Sequence, residues 1–378
     1  MLPRAASRAW SASMRSLSPV DAIARRGAFG GVREGGRLVV RSARSARRTP
    51  IATFASSSSS SSSSSFSSPS SSSSSRPAVD VDAPRGDRVT LCVEGNISAG
   101  KSTFLTNIVR GSASLRAAGT DVLLEPVDQW QNVRPAAESR EPPADGEPFN
   151  ILDAFYADPP RYAYTFQNYV FMTRFLQEAA SRDPRSHPEP LRIMERSVFS
   201  DRMIFVESVH ESGWMSDLEL SLFNAWYDPM VAACPNLKPE GFVYLRTSPE
   251  TCHRRLRRRA RGEETGVSLE YLTTLHEKHE GWFLPGGREG IGGVRRGEEG
   301  EGGGEGLAAA PASIRDDVAF VDDDRVAALK TTPVLVVEYD DDLDLDADEV
   351  AKEALRAKVE CFVGYVRERA ARRRRSRP

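Results

Sequence analysis

"RVTLCVEGNISAGKST" (residues 88–103) decides the fold. Residues 88–95 form a short apolar run that reads as a buried strand, and "KSTFLTNIV" opens a helix. Between them, Gly95-Asn96-Ile97-Ser98-Ala99-Gly100-Lys101-Ser102 is a complete G-x-x-x-x-G-K-[ST]. Glycines at both ends let the backbone curl so that its N–H groups point at phosphate oxygens, and the helix adds its positive end. Lys101 suits the β- and γ-phosphates, and Ser102 can offer its hydroxyl to Mg²⁺. A strand before and a helix after are the context this motif requires. The loop, through Thr103, is therefore expected to bind ATP or GTP. It does not by itself separate a switch, a motor and a kinase. Guanine-reading switches carry Asn-Lys-x-Asp, and no asparagine here precedes a lysine.

Strand-like runs recur outward from this loop. "DVLLEP" (121–126), "LRIMER" (191–196), "GFVYLRT" (241–247) and "PVLVVEY" (333–339) are short and apolar. Helical patterns separate them: 151–180 with a break near Pro159 and Pro160, then 198–211, 215–233, 249–260, 268–283 and 347–370. Alternation of this kind predicts an α/β fold with a five-stranded parallel sheet covered on both faces. Ligands of such sheets bind beyond the carboxyl ends of the strands, so the residues there are the candidates for chemistry.

Composition divides the chain of 378 residues. Residues 1–76 hold twelve of the 51 basic residues, all arginine, and two of the 53 acidic ones. The remainder carries a net charge of −12, which argues against a general nucleic-acid binder. The Arg-, Ser- and Ala-rich start has transit-peptide composition, and the serine run from Ser56 cannot bury enough apolar surface to order itself. Import into an organelle is expected, the mitochondrial matrix ahead of the chloroplast stroma. No apolar stretch reaches the roughly 18 residues of a membrane span, so no membrane partner is expected. Cys92, Cys234, Cys252 and Cys361 lack C-x-x-C spacing and read as reduced. The domain plan is a leader over 1–76, a linker over 77–86, and a catalytic domain over 87–284 and 326–370. A Gly/Glu-rich flexible insertion occupies 285–325 and a solvated basic tail 371–378.

The strand ends carry the candidates. Glu125 closes the second strand, where a carboxylate can take a hydroxyl proton; Trp130 follows as a pocket wall. Glu195 and Arg196 close the third: the first can hold Mg²⁺, the second can clamp a phosphoryl group, and Asp201 follows them. Gln167 and Arg174 lie two turns apart on one helix face, and a buried glutamine can match a nucleobase edge. Phe166 and Phe171 read as core. Arg255, Arg259 and Arg261, beside Glu263 and Glu264, read either as a solvated basic face or as lid arginines over a phosphoryl group. His276 and His279 read as surface residues.

"GNISAGKST", "EPVDQW", "YTFQNYV", "ERSVFSDRMIF" and "YLRTSPETCHRRLRRRARGEETGVSLEYLTTLHEKHEGW", in this order, closely resemble the deoxyribonucleoside kinases. The likeness covers about 88–284 and 333–365. It implies a P-loop kinase fold, a helical lid, Mg²⁺ with ATP, and a homodimer through a helix bundle. It implies Gly95 to Thr103, Arg255, Arg259 and Arg261 on the donor, and Glu125 as base beside Glu195 and Arg196. Tyr156 and Glu264 would hold the 3′-hydroxyl, Gln167 would read the base, Phe205 would stack on it, and Trp130 would wall the pocket. Arg174 and Asp201 stand where members taking deoxycytidine or purines carry Arg and Asp, which implies deoxycytidine, deoxyadenosine or deoxyguanosine over thymidine. Phe155 stands where Met is common and is expected to narrow the pocket. Two rival readings are a thymidylate-like nucleoside monophosphate kinase and an inactive nucleotide-binding subunit.

Overall fold

The computed structural model describes residues 88–136, 146–181, 186–234, 237–285, 310–340 and 348–375. The expected leader and linker, residues 286–309 of the insertion and 376–378 of the tail lie outside them. All the described residues fall in the unit Ser74–Pro378.

The motif strand is β1, Val89–Glu94, with every residue buried. The chain then runs through α1 (Lys101–Phe104, prolonged by a π-helical turn Leu105–Val109), α2 (Ala113–Ala117), β2 (Thr120–Leu123) and α3 (Val127–Gln131). Next come α4 (Ile151–Ala157), α5 (Pro159–Ala180) and β3 (Leu191–Glu195). Helix α6 is three abutting pieces, Val198–Ser200, a π-helical Asp201–Val206, and Glu207–Glu211. It is followed by α7 (Asp217–Ala233), β4 (Gly241–Arg246), α8 (Pro249–Arg259), a 3₁₀ turn Gly262–Gly266 and α9 (Leu269–Phe283). The chain closes with β5 (Val318–Phe320), β6 (Pro333–Glu338) and α10 (Glu349–Arg375).

The sheet has six strands in the order β2-β3-β1-β4-β6-β5. Every pairing is parallel except β5 with β6. The expected five strands are all present, and the sixth corrects the count. Only three residues long, β5 pairs Val318 with Leu335 and Phe320 with Pro333 at the sheet's edge. It also corrects the insertion: Ala310, Ile314, Val318 and Val321 are buried, so the chain is packed again from 310 rather than 326. At the other end, α10 continues as helix to Arg375, past the expected boundary at 370.

Two apolar cores lie against the sheet, as a sheet buried on both faces requires. One gathers Phe104, Leu105, Val359 and Phe362; the other gathers Phe171, Phe199, Phe223 and Trp282. Local signals set the helix starts. Asn150, Ser197, Ser216, Ser248 and Ser268 each cap a helix through a side-chain oxygen, and Pro249 sits at the first position of α8. The order places β1 between β3 and β4; the chain leaves β1 toward β2 on one side and leaves β3 for β4 on the other, so a crevice opens at the carboxyl ends of β1 and β3. The four cysteines are free, and no helix among the described residues is long and apolar enough to cross a membrane.

Candidate active site

Two glycines shape the loop after β1. Gly95 has φ +148°, and a Cβ there would lie 2.8 Å from the Leu245 carbonyl oxygen. Gly100 has φ +97°, and a Cβ there would lie 2.8 Å from the Tyr339 ring. Asn96 pins the loop to α9: its Nδ2 donates to the Leu272 carbonyl at 2.8 Å, and its Oδ1 accepts from Ile97 N–H at 2.8 Å. Ile97 and Ser98 line the cleft, Ala99 is buried, and Thr103 is exposed. Lys101 is buried, with Nζ donating to the Asn96 carbonyl at 2.8 Å and the Gly95 carbonyl at 3.2 Å. Burial, helped by Arg196, pushes its pKa down to about 8.

The strand-end carboxylates converge on this loop. Ser102 Oγ lies 3.0 and 3.1 Å from the two Glu195 oxygens. Such a set of hard oxygens fits a divalent cation of the Mg²⁺ type. Arg196 has φ +63°, a left-handed turn immediately after β3. Its guanidinium stacks on Phe205 at 4.6 Å, and its Nε lies 3.4 Å from Glu125 Oε1. Burial favours a protonated Glu125, but Arg196, Arg174 and Lys101 outweigh it and hold the carboxyl below the usual range.

Arg174 is fully buried and does not line the cleft. It therefore does not reach the ligand side as its helix face implied. Nε and Nη2 donate to the two Asp201 oxygens at 2.7 and 3.2 Å, Nη2 also to Glu125 Oε1 at 2.9 Å, and Nη1 to the Glu195 carbonyl at 2.8 Å. Burial opposes its charge, and Asp201 with Glu125 more than restores it. One guanidinium thus holds the Glu125 and Asp201 carboxylates and the backbone at Glu195, while Asp201 still reaches the cleft.

The apolar half of the cleft comes from α3, α4 and α5. Trp130, Tyr156 and Gln167 line it from these helices and Phe205 from α6. Trp130 is fixed by its Nε1–H donated to Thr173 Oγ1 at 2.9 Å and by an edge contact with Phe166 at 5.7 Å. Phe166 and Phe171 are both core as expected, and Phe166, stacked on Phe155 at 4.8 Å, also presents a wall to the cleft. Phe155 lines the cleft beside Tyr156.

The basic segment divides. Arg259 and Arg261 line the cleft and both pair with the buried Glu264 carboxylate, Arg261 at 2.9 Å. Arg255 lies apart: it stacks over Tyr339 at 5.4 Å, with Nη1 donating to the Ala99 carbonyl at 3.0 Å. His279 is fully buried, not a surface residue; it stacks on Tyr244 at 5.8 Å, and burial drives its pKa well below the usual histidine value.

Apolar wall residues such as Leu124, Leu152 and Val170, and two polar groups, Tyr271 and Glu94, escaped sequence reasoning. Tyr271 lines the cleft from α9. Glu94, the last residue of β1, is fully buried under the loop. Its Oε1 accepts from Ser197 Oγ at 2.7 Å, and its Oε2 has no hydrogen-bond partner among the described residues. Burial, opposed by Arg196 and Ser197, raises its pKa to about 7. An acid ending an otherwise apolar strand was the signal.

A sequence model of the deoxynucleoside kinase family matches residues 91–364. Deoxycytidine kinase of Mus musculus is 37% identical over 199 residues, 51% of this chain and 75% of its own. The mitochondrial deoxyguanosine kinase of Xenopus laevis is 37% identical over 203 residues, 51% and 72%. The mitochondrial thymidine kinase 2 of Homo sapiens is 35% identical over 207 residues, 55% and 69%.

Proposed function

This chain belongs to the deoxynucleoside kinase family, and we propose that it transfers the ATP γ-phosphate to the 5′-hydroxyl of deoxycytidine, deoxyadenosine or deoxyguanosine in preference to thymidine. As a member it is an ATP-dependent phosphotransferase acting on deoxynucleosides. What supports the finer reading is one cleft in which Lys101, Ser102, Glu125 and Glu195 line the same space as Tyr156, Gln167 and Phe205. Phosphate-binding and base-binding chemistry meet there.

In this reading Glu125, ionised and oriented through Oε1 by Arg174 and Arg196, takes the 5′-hydroxyl proton. The freed oxygen attacks the γ-phosphorus in line. Lys101, Arg259 and Arg261 meet the charge that spreads over the phosphoryl oxygens. Ser102 and Glu195 would hold Mg²⁺, which neutralises phosphate charge when bound. Tyr156 and Glu264 hold the 3′-hydroxyl, and Gln167 reads the base edge against Phe205. Asp201, held by Arg174, sets the polarity of the cleft where a thymine methyl would sit. Arg255, stacked on Tyr339 outside the phosphate loop, serves the donor nucleotide.

Two wider proposals accompany it. Helices α5 and α7 leave Met172 and Leu176, and Leu218 and Leu222, exposed at i, i+4 spacing, which supports a homodimer through these helices. The leader over 1–76 directs import, the mitochondrial matrix before the chloroplast stroma; mitochondrial relatives support this.

The test is phosphorylation by the full chain with ATP, Mg²⁺ and each of the four deoxynucleosides, beside deoxycytidine monophosphate. Turnover of deoxycytidine or a purine with thymidine poor is expected. Thymidine as the best acceptor would remove the selectivity argument, and turnover of the monophosphate alone would remove the acceptor assignment. Glu125→Gln should cut kcat by about 10²- to 10⁴-fold; near-normal turnover would remove the base assignment.

A further inference from the structure

Beside Glu264 stands a second carboxylate with other partners. Glu263 Oε1 accepts from Gln131 Nε2 at 2.7 Å and from Asn150 Nδ2 at 2.9 Å. Both donors belong to the acceptor wall. Gln131 ends α3, next to Trp130, and Asn150 caps α4, the helix of Tyr156. Asn150 is itself fixed, because its Oδ1 accepts from Asp153 N–H at 2.9 Å. The two segments are joined to each other by the Val133–Phe149 bridge, with backbone hydrogen bonds of 2.9 and 2.8 Å. Glu263 therefore grips a braced platform across more than a hundred residues of chain.

The turn Gly262–Gly266 thus has two adjacent acids with separate attachments. Glu264 joins the lid arginines, and Glu263 joins the wall. Burial works against the Glu263 charge, but the hydrogen bonds from Asn150 and Gln131 and the nearby Arg261 hold its carboxyl below the usual range. It is thus ionised throughout the neutral range, and its two neutral donors make charge-assisted bonds. It does not line the cleft, and among the described residues its side-chain hydrogen bonds run to Gln131 and Asn150.

We propose that Glu263 is a positioning residue, a latch whose hydrogen bonds to Gln131 and Asn150 hold Arg259, Arg261 and Glu264 over a seated deoxynucleoside. The inference rests on reading the cleft as the acceptor site. A latch of this kind bonds neither the donor loop nor Glu125, so it acts on acceptor retention through Glu264 and on the chemical step only through the placement of Arg259 and Arg261. It also couples the two sides: displacing Trp130 or Tyr156 shifts the platform on which the lid rests.

The experiment uses the full chain with Glu263→Ala and Glu263→Gln. Glutamine keeps an oxygen that accepts both hydrogen bonds, whereas alanine removes it. Alanine should raise the deoxynucleoside KM about tenfold, the loss expected for two such bonds, and lower kcat as Arg259 and Arg261 loosen, with the unfolding midpoint unchanged. Glutamine should return the acceptor KM to within about threefold of wild type. Tryptic cleavage at the α8 and lid arginines, which needs local opening, should quicken in the alanine variant and slow again with glutamine. An alanine variant with wild-type acceptor KM and wild-type cleavage overturns the latch. So does a glutamine variant as impaired as alanine, or an alanine variant that loses both KM values together with its unfolding midpoint. If the wild-type chain phosphorylates no deoxynucleoside, the functional reading fails on its own, and the cleavage comparison still decides the latch.

Discussion

Glu94→Gln should stabilise the protein at neutral and alkaline pH and do nothing for it in acid. The side chain is fully buried, with one oxygen bonded to Ser197 and the other unpartnered among the described residues. Its pKa rises from 4.5 to about 7. In the unfolded chain the carboxyl ionises near its ordinary value; in the folded chain it keeps its proton for two or more further pH units. Between those values the native state binds the extra proton, so stability falls as pH rises, by about 1.4 kcal/mol per unit. Across the whole interval the loss is about 3 kcal/mol, fully present above pH 7 and absent below about 4.5. Glutamine mimics the protonated acid: its oxygen can accept from Ser197, and its amide stands where the acid's hydroxyl would. Urea unfolding of wild type and variant at half-unit steps from pH 4.5 to 8.5 tests this. The stability difference should be near zero at the acid end, grow through pH 5–7 and level off at about 3 kcal/mol in favour of glutamine. A difference independent of pH, or one favouring glutamate above pH 7, would refute the argument. A cost of this size beneath a phosphate loop is the kind that functional sites carry, because Arg196, beside Glu94, benefits from a nearby negative charge.

Lys101 gives a second pH signature. With its pKa pushed down to about 8, the free protein loses the ammonium above that value, and phosphate must draw a proton back. ATP affinity should be flat below pH 8 and then fall by up to about tenfold per unit; titration of ATP binding from pH 7 to 9.5 checks it, and a flat profile would remove the assignment. The buried Arg174–Asp201 pair predicts a difference between single and double changes. Asp201→Ala should cost about 3–5 kcal/mol by stranding part of the Arg174 charge. Arg174→Met with Asp201→Ala should cost less than the sum and move the kcat/KM ratio toward thymidine by about tenfold or more. Urea midpoints and the four-substrate panel read both effects. Gly100→Ala, which places a Cβ 2.8 Å from the Tyr339 ring at φ +97°, should abolish measurable ATP binding while the unfolding curve stays cooperative.

The parts of this site legible in the sequence are those whose chemistry dictates residue type at fixed local spacing. Gly95, Gly100, Lys101 and Ser102 are such a case, and the four central parallel strands are another, because burial on both faces demands a mostly apolar run; β2, with Asp121 and one buried residue, carries the weaker mark of an outer strand. Strand β5 carries no such mark. Its three residues sit among aspartates and are strand only because β6 offers an edge, a fact about residues fifteen or so positions away. Phe166 could not be sorted from Phe171 because the wall of an apolar pocket and the core ask for the same side chain, and only depth tells them apart. Depth also decides Arg174. Its seven-residue spacing from Gln167 correctly puts both on one helix face, yet the face meets the cleft at Gln167 and the sheet's end at Arg174. There Asp201, Glu125 and the Glu195 carbonyl take its donors. The same holds for His279: a polar residue nearly three turns along α9 reads as solvated, whereas the helix presses that position onto Tyr244. Periodicity places a side chain on a face, and the fold alone determines what that face meets. This is why the sequence points to charged side chains that the structure gathers at one cleft, but not to which of them line it and which hold the others in place.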